Sequence, residues 1–363
     1  MHFQTLQEIR QDIGDAFIWI AVDETTDSTG RYIANFLVGK LMPDGPGTPH
    51  LLMVKQLEKT NHSTIARTIN DATALLWPGQ MYRERVLLML SDGARYMTKA
   101  GNVLQVLYPS MIHVTCVAHA LHRVAEAVRE QSPEVNQLIS SVKKIFTKSP
   151  YRMQLFKEHC PGLRNPPQPV ITRWGTWSAA ADYYAENFVK VSEVVRELNP
   201  GEAQSIRDAV VTLNDNSLPQ KLAYIKANFL ILSQSIQRLE ERGLSLSDSI
   251  AIIELVKDNL EKVDGCLGER AREKLKQVLE GNVGLQTLKA INDVLRVGST
   301  SSAIPDISPD AIAALKFAPI TSVEVERSFS IYKNLLSDKR RRLTPKSIEM
   351  MLVIQCSSFD ESD

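Results

Sequence analysis

"RVLLMLSDG", residues 85–93, is an unbroken apolar run closed by Asp-Gly. With no polar alternation, it reads as a strand buried on both faces at the centre of a sheet. Toward the N-terminus, three more strand-like stretches surround it: "FIWIAVDETT" (17–26), "GRYIANFLVGKL" (30–41) and "HLLMVKQLE" (50–58). Short turns separate them, among them "PDGPG" at 43–47, which predicts an antiparallel meander. "HSTIARTINDATALLW" (62–77) then reads as a helix, with Ser63 as N-cap and Ile65, Ile69, Ala72 and Leu76 at helical spacing. Toward the C-terminus, 94–109 is a helix stopped by proline, and 110–131 begins as a fifth strand and turns helical near Cys116. The order β-β-β-α-β-α-β-α predicts an α/β fold.

Past about residue 117 no further strand signal occurs. Residues 133–147, 176–198, 203–215, 218–241, 246–263 and 268–297 read as helices, several of them amphipathic. "GSTSSAIPDISPDA" (298–311) is the most linker-like stretch, and 320–338 and 344–356 are helical again. Thr321 or Ser322 opens the first of these, and Thr344 with Pro345 opens the second.

At 363 residues with 44% hydrophobic side chains, the chain can bury a substantial core plus a second element. There is no apolar run of eighteen residues, so no membrane span is expected, and the polar, acidic start predicts no secretory signal. The four cysteines are scattered without a C-x-x-C pair, which points to a reducing compartment and away from zinc ribbons or fingers. Lys+Arg and Asp+Glu both number 42, so a nucleic-acid site would have to be a local patch. The run "SDKRRRLTPK" (337–346) is the strongest such patch, readable as a solvated helix end, a DNA contact or a nuclear address.

Asp23 ends the first strand and Asp92 the fourth. If those strands are neighbours, both carboxylates emerge in one region, and converging carboxylates repel unless cations neutralise them. Two Mg²⁺ or Mn²⁺ ions held there would suit phosphodiester chemistry. Acids at strand ends are also ordinary turn chemistry, and Glu24 and Asp27 crowd Asp23 closely enough that spacing alone does not choose among them. A third carboxylate is needed, and "SVEVERSFS" (322–330) offers Glu324 and Glu326.

The ordered set "VDETTDSTGRYIANFLVG", "LSDGARYM", "CVAHAL", "TRWGTW" and "SVEVERSFSIYKNLLSDKRRRLTP" resembles the hAT superfamily of DNA transposases over roughly residues 10–356. The resemblance implies an RNase H-like core, a mixed five-stranded sheet flanked by helices and interrupted by an all-helical insertion. It divides the chain into a first core part (10–177), the insertion (178–315) and a last core part with the dimerisation region (316–358). It would explain why 233 residues separate Asp92 from Glu326.

Carried over position by position, the resemblance implies Asp23, Asp92 and Glu326 as metal-holding catalytic acids, with Glu324 a solvated neighbour. It implies His119 of the C-x-x-H pair Cys116/His119 as a further catalytic group beside the scissile phosphate, and Cys116 and Arg327, which follows the late acid, as DNA-binding residues. Half a zinc site, or a packed helix start, is the other reading of that pair; His159 and Cys160 form only a weak second one, and His113 and His122 are expected in sheet packing or at the surface. In "TRWGTW", Arg173 would lie by the phosphate and Trp174 would stack on a flipped base, worth about 1–3 kcal/mol. The alternative is a core tryptophan, which is the reading for Trp177. Family members carry an N-terminal BED-type zinc finger and a longer insertion; this sequence has neither, so a truncated or domesticated transposase is expected.

Two functions follow. One is a nuclear, DNA-binding transposase-like enzyme. The other is a silent assembly protein whose C-terminal helices pair with a second copy through Phe329, Leu335, Met351, Leu352 and Ile354, although internal packing explains those apolar stripes equally well. A generic metal nuclease would lack the insertion.

Overall fold

The computed structural model describes residues 1–27, 29–80, 82–169, 175–298, 307–336 and 343–357. Its sheet has five strands, β1 (Ile18–Thr26), β2 (Tyr32–Lys40), β3 (His50–Leu57), β4 (Val86–Ser91) and β5 (Ile112–Thr115), in the order β3-β2-β1-β4-β5. The first three form the antiparallel meander read from the short turns. β4 lies parallel to both β1 and β5. Every residue of β4 is buried, as its unbroken apolar run requires. This is the α/β, mixed five-stranded, RNase H-like arrangement expected from the sequence.

The helices α1 (His2–Ile13), α2 (His62–Leu76), α3 (Arg95–Leu107) and α4 (Val117–Glu130) alternate with or follow the strands. α2 is capped two residues earlier than expected: the Asn61 side chain, not Ser63, accepts the Thr64 N–H. Asparagine at this place satisfies an otherwise orphaned amide as well as serine does.

After α4 come α5 (Pro133–Thr147), α6 (Pro150–His159), α7 (Gly175–Glu197), α8 (Gln204–Leu213), α9 (Leu218–Leu239) and α10 (Leu246–Glu261). The single helix read over 268–297 is in fact two, α11 (Gly265–Glu280) and α12 (Val283–Val297). Gly281 and Asn282 break it. Asn282 caps α12 by accepting the Leu285 N–H, and its amide also bonds to both the N–H and the carbonyl of Thr115 at the end of β5. A short α13 (Pro309–Ala314), α14 (Val323–Leu335) and α15 (Pro345–Ser357) complete the chain. α15 opens as expected, with Thr344 Oγ1 accepting the Ser347 N–H.

Two compact units emerge. One holds residues 1–120, 239–251 and 279–363 and contains the sheet; the other holds 121–238 and 252–278 and is helical. These divisions fall at other places than the sequence-order boundaries 177/178 and 315/316. Within the sheet unit, α14 packs on β1 and β2, and α15 packs on β3, α1 and α14. Within the helical unit, α5 and α8 pack together, and Trp177 is buried with its indole N–H on Asn136, a core tryptophan as read.

Candidate active site

β1 and β4 run parallel with Ala21 opposite Leu90. Asp23 and Asp92 each stand two residues further on, so strand alternation brings both to the same end and the same face of the sheet. Across β1 on its other side, Asn35 of β2 lies directly opposite Asp23.

Asp23 accepts the N–H of Glu24 at 2.8 Å. Burial, reinforced by the facing charge of Asp92, pushes its carboxyl up to about 7, while His119 pulls the other way and Glu326 adds to the rise. Asp92 is used locally as well, its Oδ1 accepting the Ala94 N–H at 3.1 Å where α3 begins. Glu24, the crowding neighbour, bonds at 2.6 Å to the Tyr96 hydroxyl, and burial and Asp92 raise its carboxyl. Tyr96 is held above the ordinary phenol range, first by burial and then by Glu24. Asp27 has a different task. Although burial works against it, the N–H of Arg31 and the side chains of Thr29, Arg31 and Tyr332 hold it well below the usual carboxylate range. It is a structural anion that ties the β1–β2 turn to α14 through the Tyr332 hydroxyl at 2.9 Å.

The late acid arrives on α14. Glu326 Oε1 lies 3.4 Å from His119 Nε2, and 45% of the Glu326 side chain remains exposed. Glu324 is no solvated neighbour: only 17% of its side chain is exposed, and it pairs with Arg242 at 3.0 Å and with Arg327. Arg327 is thereby engaged within the chain, donating also to the Glu240 carbonyl at 2.8 Å.

The C-x-x-H pair acts as a joint. Cys116 is buried, its sulfur accepts the Ser322 N–H at 3.2 Å, and the adjacent Val117 N–H bonds to the Ile320 carbonyl. Burial alone would raise the Cys116 thiol, but His119 and Ser322 outweigh it. His119 is held above the ordinary imidazole range, first by Cys116, then by Glu326 and Asp23, against the effect of burial. His113 packs in the sheet as expected, bonding Ser91 at 2.9 Å, and burial lowers it to about 4, so it stays neutral. In the second pair, His159 Nε2 meets Glu197 at 2.9 Å.

Asp23, Asp92, His119 and Glu326 thus share one electrostatic neighbourhood at one end of the sheet. Their oxygen donors are of the kind a hard divalent cation takes, and the mutual repulsion of Asp23 and Asp92 is what such a cation would relieve. As they stand, no three His, Cys, Asp or Glu side chains among the described residues are gathered as a metal site requires. Arg173 and Trp174 lie outside the described residues, as does most of the basic run, 337–342.

Sequence reading missed two members of this neighbourhood. Tyr96 carried no signal beyond its place four residues after Asp92. Asn35 did carry one, being a lone amide inside the apolar run "YIANFLV".

Residues 3–145 match a family described as a domain of unknown function, DUF659, and residues 313–357 match the family described as the hAT family C-terminal dimerisation region. None of the curated proteins matches the chain. Asp23, Asp92, Cys116 and His119 fall in the first matched stretch, Glu326 in the second.

Proposed function

The chain is an hAT-family transposase-like protein, and on that footing we propose that it binds DNA in the nucleus and cuts and joins phosphodiesters at the Asp23–Asp92–Glu326 cluster. One observation supports this above the others: carboxylates from β1, from the end of β4 and from α14 act on one another electrostatically although they come from opposite ends of the sequence. Asp23 and Asp92 would hold Mg²⁺ or Mn²⁺, with Glu326 completing the set from α14. When bound, the cations supply the charge that activates the attacking oxygen and steadies the leaving one.

The chain's own residues have the remaining work. His119, held above the ordinary imidazole range first by Cys116 and then by Glu326 and Asp23, presents an N–H to a phosphate oxygen, and its contact with Glu326 holds both side chains at the cleavage point. In the cut, a water oxygen forms a bond to phosphorus while the bond to the leaving 3′ oxygen breaks and that oxygen takes up a proton. In joining, a 3′-hydroxyl takes the water's place. Arg173 would steady the phosphate and Trp174 would stack on a base turned out beside it. The basic run 339–342 adds positive charge for the DNA backbone and serves as a nuclear address.

A second reading has its own support. No three candidate ligands are gathered among the described residues, and the C-terminal match is to a dimerisation region. A protein that assembles without cutting fits both facts. Nicking of supercoiled DNA in Mg²⁺ or Mn²⁺ separates the two. Losing several kcal/mol of charge stabilisation should slow Asp92→Asn by on the order of a thousandfold. Cutting that survives in Asp92→Asn removes the carboxylate mechanism; a wild-type protein that dimerises and never nicks establishes the silent reading.

A further inference from the structure

We infer that Asn35 and Ser328 are a positioning pair, whose hydrogen bond sets the rotation of α14 on the sheet and so the placement of Glu326 against Asp23 and Asp92. This inference rests on the carboxylate reading above.

The geometry begins at the register. Asn35 stands opposite Asp23 on the adjacent strand, so their side chains share a face, and α14 packs on that face. The Asn35 amide is fully buried and donates to Ser328 Oγ at 2.7 Å. Ser328, itself 2% exposed, donates its own hydroxyl hydrogen bond to the Val325 carbonyl at 2.6 Å. The chain thus runs from the strand residue beside Asp23 to the helix residue two positions past Glu326.

The pair is a poor way to gain stability. Asn35 Oδ1 is buried without a hydrogen-bond partner, a defect worth about 1–3 kcal/mol that an apolar side chain would avoid. Its use lies in direction. Val325, Phe329, Tyr332 and Leu335 form the buried stripe that presses α14 onto the sheet, and such contact resists separation far better than rotation. A hydrogen bond does fix an angle. Turning α14 by about 20° would carry a carboxyl on its rim by roughly 2 Å, since side chains reach 5–6 Å from a helix axis. An error of about 1 Å in a reacting group is already enough to cost a large part of a rate. The contacts of Ser322 with Cys116 and of Tyr332 with Asp27 hold the two ends of the helix; the Asn35–Ser328 bond holds its middle, next to the acid.

The test uses the full chain with Ser328→Ala and with the double variant Asn35→Val/Ser328→Ala. Removing both polar partners together leaves no orphan, so the double variant should melt close to wild type. Two further quantities are read. The first is the place of Glu326, from a crystal structure of the metal-free double variant, where wild type has Glu326 Oε1 3.4 Å from His119 Nε2. The second is Mn²⁺ affinity with the nicking rate. In the double variant Glu326 should leave its position beside His119, and affinity and nicking should fall about tenfold, the range seen when a group that orients a metal ligand is removed. A stable double variant with Glu326 in its wild-type place overturns the inference. If the wild type itself neither binds Mn²⁺ nor nicks, the carboxylate reading fails, and the position of Glu326 in the double variant still decides whether the pair holds it in place.

Discussion

At the scale of single residues, Asp23 is a carboxyl set against the fold that holds it. In the unfolded chain it ionises near 3.8 and in the folded protein near 7. Below 3.8 both states keep the proton and the residue has no effect on stability. From there to about 7 the unfolded chain gives up its proton first, so the folded state loses ground as pH rises, by roughly 4 kcal/mol at most once pH passes 7. Asp23→Asn removes that cost. The metal-free variant should therefore melt several degrees above wild type at pH 8, with the gap closing toward pH 4, as calorimetry at the two pH values would read. A gap that does not change with pH would mean that Asp23 is not the strained carboxyl described here. The sequence made Asp23 and Asp92 legible as candidates, because acids at strand ends stand out against apolar surroundings, whereas Glu326 was chosen over Glu324 only through the family resemblance. It could not reveal that Glu324 is an internal ion-pair partner, because Arg242 lies 82 residues away in the chain and only folding brings it near. Asn35 was overlooked for the opposite reason: one amide in a strand looks like noise until its partner, 293 residues on, is in view.

Among the elements, the strands were the easiest to read, because β4 is buried throughout and β1–β3 are linked by short turns that allow only a meander. The helices were harder where breaks were chemical instead of steric. Asn282 looks like one more polar residue in a helical run, yet it ends that run by capping α12 and bonding the edge of β5. α6 was missed because a ten-residue helix with one buried side chain, Phe156, offers no periodicity to find. The docking of α12 on β5 gives a sharp expectation. A Cβ at Gly284 would run into the His113 carbonyl oxygen, and backbone cannot swing aside. Gly284→Ala should lower stability by about 1–3 kcal/mol, measured by denaturant unfolding. At Gly101 the obstacle is the His113 ring, a side chain that can shift, so Gly101→Ala should cost less. Equal costs would show that β5 yields as readily as a side chain does.

For the whole molecule, the match to a dimerisation region supports assembly with a second copy, and the structure sorts the five residues expected to make that contact. Phe329, Leu335 and Leu352 are buried inside the chain, Ile354 is half-buried, and Met351 is exposed beside the exposed Met350. The apolar stripes therefore divide into residues packed inside the chain and residues left at its surface, a division that periodicity could not show. Met351→Asp should shift light scattering toward the monomer while leaving the melting temperature close to wild type, since surface changes rarely exceed 0.5 kcal/mol. Leu352→Asp should unfold the protein outright by placing a charge in its core. A Met351→Asp protein of unchanged mass would move the interface off this face of α15. Among the described residues, no helix is long and apolar enough to cross a membrane.

The hydrogen bond from Asn35 to Ser328 also has a bearing on how the protein is made. Bringing two residues 293 apart together costs about 5 kcal/mol in loop closure, unless intervening segments have already folded and shortened the path. The meander needs only neighbours in sequence and can form as it leaves the ribosome, whereas α14 must wait until the helical stretches before it have been synthesised. A chain abandoned midway through translation would own both aspartates and no late glutamate. Any cutting ability would then switch on only in finished copies, sparing the cell from half-made nucleases.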